Sequence, residues 1–184
     1  MLRDKIIFAN QRKEYGMRGD VKSCAFTGHR QIKSEHRLLI AKRLFDAIEY
    51  AYSLGCTEFF AGGAVGFDTL AAREVIRFKM THPDVSLILL LPCIEQDENW
   101  SYRQKDDYEY VLRNANEIRY ISDIYTSSCM RRRNQALAEQ CDVMIAYLSH
   151  SRSGAGQTVR MAERLGKMIF NLYPDLESKT EITT

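Results

Sequence analysis

Gly62, Gly63 and Gly66 stand in the segment GGAVGFDTLAA (62–72), directly after the apolar run TEFFA (57–61). A short strand, a glycine turn and a helix start are expected there. Glycine lets backbone approach a ligand where a Cβ would collide. The helix that follows aims its unpaired N–H groups and the positive end of its dipole at the same spot. That combination suits an anion, and in α/β proteins the anion is usually a phosphate or carboxylate. The segment SGAGQTVRMAERLG (153–166) repeats the arrangement after the strand-like VMIAYL (143–148), so Gly154, Gly156 and Thr158 make a second cradle. Each of these residues also has a plain structural role open to it. For the first glycines it is a tight strand-to-helix turn, and Asp68 and Thr158 serve equally as helix caps.

Charged and aromatic residues near the same turns extend the candidate site. Thr27, Gly28, His29 and Arg30 end the first apolar run. Arg30 has the fork of donors that clamps a phosphate, with a surface ion pair as its alternative. His29 is as well suited to a structural hydrogen bond as to catalysis. Arg131 and Arg132 read as a solvated face. Trp100, the one tryptophan, lies in a polar stretch. It either covers the ligand or packs against the sheet edge. Asp142 precedes a strand and serves its turn.

Elements that would position these residues follow from the hydrophobic pattern. Strands are predicted at 23–28, 57–61, 85–91, 118–121, 143–148 and 168–172. The uninterrupted run VSLILLL (85–91) is that of a strand buried on both faces, as in parallel sheets covered by helices. Leu38, Ala41, Leu44, Phe45, Ile48 and Tyr52 recur at spacings of three and four, which predicts a helix after Ser34 that stops near Gly55. Further helices are expected up to about Met80, up to about Asn116, over 129–139 and over 157–165. Strands alternating with helices make a Rossmann-like, doubly wound, mostly parallel α/β sheet with helices on both faces. Ligands bind such sheets beyond the C-terminal strand ends, so the turns at 27–30, 62–68 and 149–158 should line one edge.

Composition narrows the function classes. The chain has 184 residues and 45% hydrophobic content, enough for one domain with a full core. The division expected is an N-terminal arm over 1–20, a single domain over 21–174 and a polar, loose tail over 175–184. A net charge of +2 gives no broad track for nucleic acid. The first 50 residues are more basic, with 11 Lys or Arg against 6 Asp or Glu. Five cysteines, an odd number without a C-x-x-C pair, argue against a disulfide framework or zinc knuckle. Reduced thiols fit a cytoplasmic protein. No signal peptide or membrane-length apolar run is visible. The four histidines have no metal-ligand spacing, and no metal or cofactor is expected. The dinucleotide fingerprint, the P-loop, the G-x-S-x-G elbow and the H-E-x-x-H pair do not occur.

The motifs in order are FTGHR (26–30), GGAVGFDTLAA (62–72), Trp100, MRRRN (130–134), Asp142 and GAGQT (154–158). Together they resemble the YpsA/YoqJ-like branch of the SLOG superfamily over about residues 23–172. That superfamily also holds the DNA-processing protein DprA and the Lonely Guy hydrolases. The resemblance implies a Rossmann-like fold and a pocket for a nucleotide or nucleotide-derived small molecule. Arg30 and Arg133 would neutralise its phosphate, in a sensing or regulatory role. A homodimer is an option the related folds offer. The Lonely Guy enzymes cleave the N-glycosidic bond of nucleoside monophosphates with M-x-x-R-K followed by P-G-G-x-G-T-x-x-E. Met130 and Arg133 match the first half, with Asn134 in place of the Lys. In the second half the carboxylate is missing, because Arg160 and Met161 stand where it belongs and Glu163 lies further on. An oxocarbenium-like transition state needs a nearby anion or base. That departure counts against nucleoside-phosphate N-glycosidase activity and leaves Arg133 as the one candidate catalytic residue. Single-stranded DNA binding, as in DprA, is a further alternative that predicts steep salt dependence.

Overall fold

The computed structural model describes residues 23–180. The predicted N-terminal arm therefore lies outside the described residues. Six strands form the sheet: β1 (Ser23–Gly28), β2 (Glu58–Ala61), β3 (Ser86–Leu91), β4 (Glu117–Tyr120), β5 (Val143–Tyr147) and β6 (Met168–Asn171). All neighbours run parallel, in the order β4-β3-β2-β1-β5-β6. The helices are α1 (Arg37–Ser53), α2 (Phe67–Lys79), α3 (Tyr102–Asn114), α4 (Cys129–Gln140), α5 (Gly154–Arg164) and α6 (Tyr173–Thr180). A 3₁₀ turn, Ser34–His36, leads into α1. Among the described residues no helix is long and apolar enough to cross a membrane.

Alternation along the strands splits the core into two layers. Cys24, Phe26, Phe59, Leu87 and Leu89 face one layer with α1, α2, α3 and α6. Ala25, Phe60, Ile88, Leu90 and Met144 face the other with α4 and α5. Central strands buried on both faces explain the continuous apolar run in β3. At ~25 cal/mol per Å², a fully buried Leu contributes about 2 kcal/mol, so these strands dominate the stabilising side. All five cysteines are free and buried. Burial pushes the Cys24 thiol well up and the Cys56 thiol to about 12, so neither is a ready thiolate.

The elements depart from the sequence expectation in three places. Leu38 is 91% exposed, although it fits the spacing of three and four. The buried face of α1 is set by Ile40, Leu44, Ala47, Ile48 and Ala51, and Leu38 sits two residues from Ile40, on the opposite side. Helix α5 begins at Gly154, three residues earlier than predicted, because the Ser153 side chain caps it by accepting from Gly156 N–H at 3.0 Å. Residues 173–180 are helical where the polar composition reads as a loose tail. Leu176 is buried in the core and Glu177 pairs with Lys33 at 2.8 Å, while Pro174 sits in the first turn, where its missing N–H costs nothing.

Candidate functional site

The chain runs from the central strand β1 outward to β4, then returns to the other side of β1 as β5. This reversal parts the loops at the C-terminal ends of β1 and β5 and opens a crevice there. A cleft of about 310 Å³ occupies it. Thr27 and Gly28 line it from the end of β1, His29 and Arg30 from the loop that follows, Ala64 from the turn after β2 and Asp68 from the first turn of α2. Helix α4 contributes Met130, Arg133, Asn134 and Leu137, and the start of α5 contributes Ser153, Gly154 and Ala155. Backbone bonds tie the loop after β1 to the end of β5 and the start of α2: His29 N–H donates to Tyr147 O at 3.1 Å, and Phe67 N–H donates to His29 O at 3.2 Å.

A buried charge network forms the floor. Arg133 and Asp68 are 7% and 5% exposed and approach to 3.7 Å. The guanidinium is shared. Its Nη1 donates to Gly62 O, and its Nε donates to Asn134 Oδ1 at 2.9 Å. Asn134 in turn donates to Gly154 O at 3.3 Å, which ties α4 to the start of α5. Burial pushes the Asp68 carboxyl up to about 6, against the pull of Arg133, of the Ala64 and Gly62 N–H groups and of Arg30. Burial also holds the Arg133 guanidinium below its ordinary range, and Asp68 opposes that shift. The longer Arg133–Asp68 separation fits these directions, since the cation spends its closest donors on other oxygens.

The two glycine turns differ in what fills them. At the first, a Cβ on Gly62 would land on the Arg133 guanidinium, and one on Gly66 would strike the Arg30 carbonyl. Gly66 also has φ +87, in the left-handed region where side chains are strained. Gln96 donates to Gly63 O at 3.3 Å. These three glycines therefore face the protein's own side chains and backbone, and Gly66, rather than Asp68, is the N-cap of α2. The second turn is open. Gly154 and Ala155 begin α5 and line the cleft. Their N–H groups precede the first capped donor, Gly156, and find no acceptor among the described residues. The nearest atom to a Cβ on Gly154 would be Asn134 Nδ2, 3.8 Å away.

The remaining candidates are placed as follows. Ser149 N–H donates to His29 Nε2 at 2.9 Å, so the neutral ring carries its proton on Nδ1. Burial and the neighbouring His150, stacked at 4.6 Å, lower the His29 pKa. His29 thus faces the cleft as a neutral donor. Arg30 is exposed and makes no ion pair among the described residues. Trp100 packs edge-on against Tyr108 at 5.2 Å and lies outside the lining. Gly156 packs on the Ser151 carbonyl, and Thr158 is buried with its hydroxyl donating to Gly154 O at 3.0 Å, so both support the turn from behind. Asp142 accepts from Ser23 N–H at 3.1 Å and joins β1 to β5. Ala64, Met130, Leu137, Ser153 and Ala155 line the cleft in addition to the expected site residues. Met130, Arg133, Asn134 and Leu137 fall at i, i+3, i+4 and i+7, so one face of α4 carried the missing signal.

The fold and cleft define a Rossmann-like α/β protein with an open crevice at its topological switch point. The YpsA model, described as the YspA SLOG family, matches residues 24–166, and the chain belongs to that family. It is 29% identical over 139 residues to an uncharacterized SPbeta prophage-derived protein, YoqJ, of Bacillus subtilis (strain 168). That match covers 68% of this chain and 81% of YoqJ. A UPF0398 protein of Bacillus cereus (strain B4264) is 27% identical over 127 residues, covering 65% of this chain and 69% of that protein. Among solved structures, DNA processing protein A from Helicobacter pylori, studied for its single-stranded DNA binding mode, superposes with a TM-score of 0.59 at 18% identity. DNA processing protein A (DprA) from Streptococcus pneumoniae gives 0.60 at 17%. These superpositions cover 83% and 82% of this chain, but only 65% and 50% of the two structures. They are likenesses of fold.

Proposed function

We propose that the cleft binds a nucleotide-derived small molecule through its phosphate, in a sensing or regulatory role. One observation carries the reading: the N–H groups of Gly154 and Ala155, at the positive end of α5, share a cleft with the Arg30 cation, and among the described residues neither the amides nor the cation has a partner. Arg133 is already engaged by Asp68, Gly62 and Asn134, so it acts as the anchor of the floor, and Arg30 supplies the charge for the ligand. The apolar surfaces of Met130 and Leu137 suit a base better than Trp100, which stands outside the lining. His29 Nδ1–H and the Thr27 hydroxyl remain for a ribose or phosphate oxygen.

Titration calorimetry with nucleoside mono- and diphosphates, set against the same nucleosides without phosphate, tests this. Heat is expected only from the phosphorylated series, and it should fall in Arg30→Ala. Equal binding of the free nucleosides would remove the phosphate cradle from the account. The N-glycosidase alternative fares worse, because Glu163 is exposed and outside the cleft lining. Free base released by the wild type and lost in Arg133→Ala would reinstate it. Binding of single-stranded DNA with steep salt dependence would favour the DprA-like alternative.

A further inference from the structure

The two edges of the sheet are finished differently. At β6, Met168 and Phe170 are buried, whereas all four residues of β4 are exposed. Among the described residues β4 pairs only with β3, so its other side presents unpaired backbone N–H and C=O groups. Exposed apolar side chains gather around the open edge. Ile118 and Tyr120 are 38% and 43% exposed within β4, and Ile124 and Tyr125, just beyond it, are 71% and 65% exposed. Proteins usually blunt such an edge with charge. Here the charges are Glu117 and Arg119, which pair with each other along the strand at 2.6 Å.

We propose that this edge is a homodimer interface, in which β4 pairs antiparallel with β4 of a second copy about a two-fold axis at Ile118. Register follows from pleat and charge. Residues facing each other in an antiparallel pair must point their hydrogen-bonding groups the same way, so the axis passes through a residue and not between two. An axis at Glu117 sets two carboxylates opposite each other, and an axis at Arg119 sets two guanidinium groups opposite each other. Both are unfavourable. An axis at Ile118 sets Glu117 of each copy against Arg119 of the other and stacks Ile118 on itself. The within-strand ion pair becomes two cross-strand ion pairs, with Tyr120 and the Ile124–Tyr125 segment widening the apolar contact.

Sedimentation velocity of the full chain over a concentration series tests the interface. The wild type is expected to dimerise. Glu117→Arg and Arg119→Glu should each weaken self-association about tenfold or more, because each puts like charges opposite twice over. The double swap Glu117→Arg with Arg119→Glu should restore the dimer. Ile118→Asp should abolish it. Circular dichroism melts establish that each variant is folded. Arg119 also donates to Gln140 at 3.1 Å, so Glu117→Arg is the gentler single change. As a second readout, amide exchange at 117–120 should slow as wild-type concentration rises. A wild type that stays monomeric, a dimer indifferent to the single swaps, or a folded double swap that stays monomeric overturns the proposal and gives the edge to a different partner.

Discussion

Replacing Asp68 by Asn should change how stability depends on pH. The carboxyl is 5% exposed and titrates at about 6 in the folded protein. An unfolded Asp titrates near about 4, so the folded state binds this proton more tightly by about two pH units, or about 3 kcal/mol. The sign follows from linkage. A raised folded pKa contributes stability that is whole below about pH 4 and is lost as pH rises through about 6. Asn cannot ionise and keeps an oxygen for the Ala64 N–H, so the variant escapes that loss. Relative to wild type, Asp68→Asn should therefore gain about 3 kcal/mol between about pH 4 and about pH 7. Urea unfolding followed by circular dichroism, for both proteins at several pH values across that interval, gives the difference directly. A gap that moves the other way, with the variant falling behind as pH rises, would show that the Arg133 pair outweighs desolvation. The floor would then be an ordinary salt bridge and not a strained one.

Three further substitutions separate scaffold from site. Gly62→Ala puts a Cβ on the Arg133 guanidinium and 2.7 Å from Asp68 Oδ2, and should cost about 2–3 kcal/mol in urea unfolding. Gly154→Ala meets nothing closer than 3.8 Å, so stability should stay within about 0.5 kcal/mol while calorimetry shows weaker nucleotide binding. Tyr147→Phe removes the hydroxyl that His36 Nδ1 meets at 2.8 Å and that Lys33 N–H reaches at 3.3 Å, and should lower unfolding free energy by about 1–3 kcal/mol.

The sheet was legible in the chain because its central strands are apolar on both faces and its turns carry glycine. All six strands lie within a residue or two of the expected positions. Part of the cleft lining was legible too: Thr27, Gly28, His29, Arg30 and Gly154 stand in turns beside the switch point, and Arg133 and Asn134 stand in a motif that carries the family resemblance. What spacing cannot tell is whether a glycine makes room for a ligand or for the protein itself. Gly62 and Gly154 look alike in the sequence, yet Arg133 fills the space beside one and solvent the space beside the other. Asp68 has the same ambiguity. As a helix-start carboxylate it reads as a cap, and only its 3.7 Å approach to Arg133, far along the chain, reveals it as half of a buried pair. Leu38 fits the helical spacing yet is exposed, because spacing alone does not say which side of a helix meets the sheet, and the polar 173–180 stretch is helical where Leu176 docks in the core.

The proposed phosphate binding needs the cradle at the start of α5 and Arg30 beside it. A thermal melt of the full chain against nucleoside mono-, di- and dinucleotide phosphates tests it most directly. A ligand at a hundred times its dissociation constant adds about 2.7 kcal/mol, which for a chain of this size raises the melting temperature by about 5–10 °C. The expected result is such a rise for at least one phosphorylated compound, reduced in Arg30→Ala. Melting temperatures unmoved across the series, or a rise that Arg30→Ala leaves intact, would contradict it.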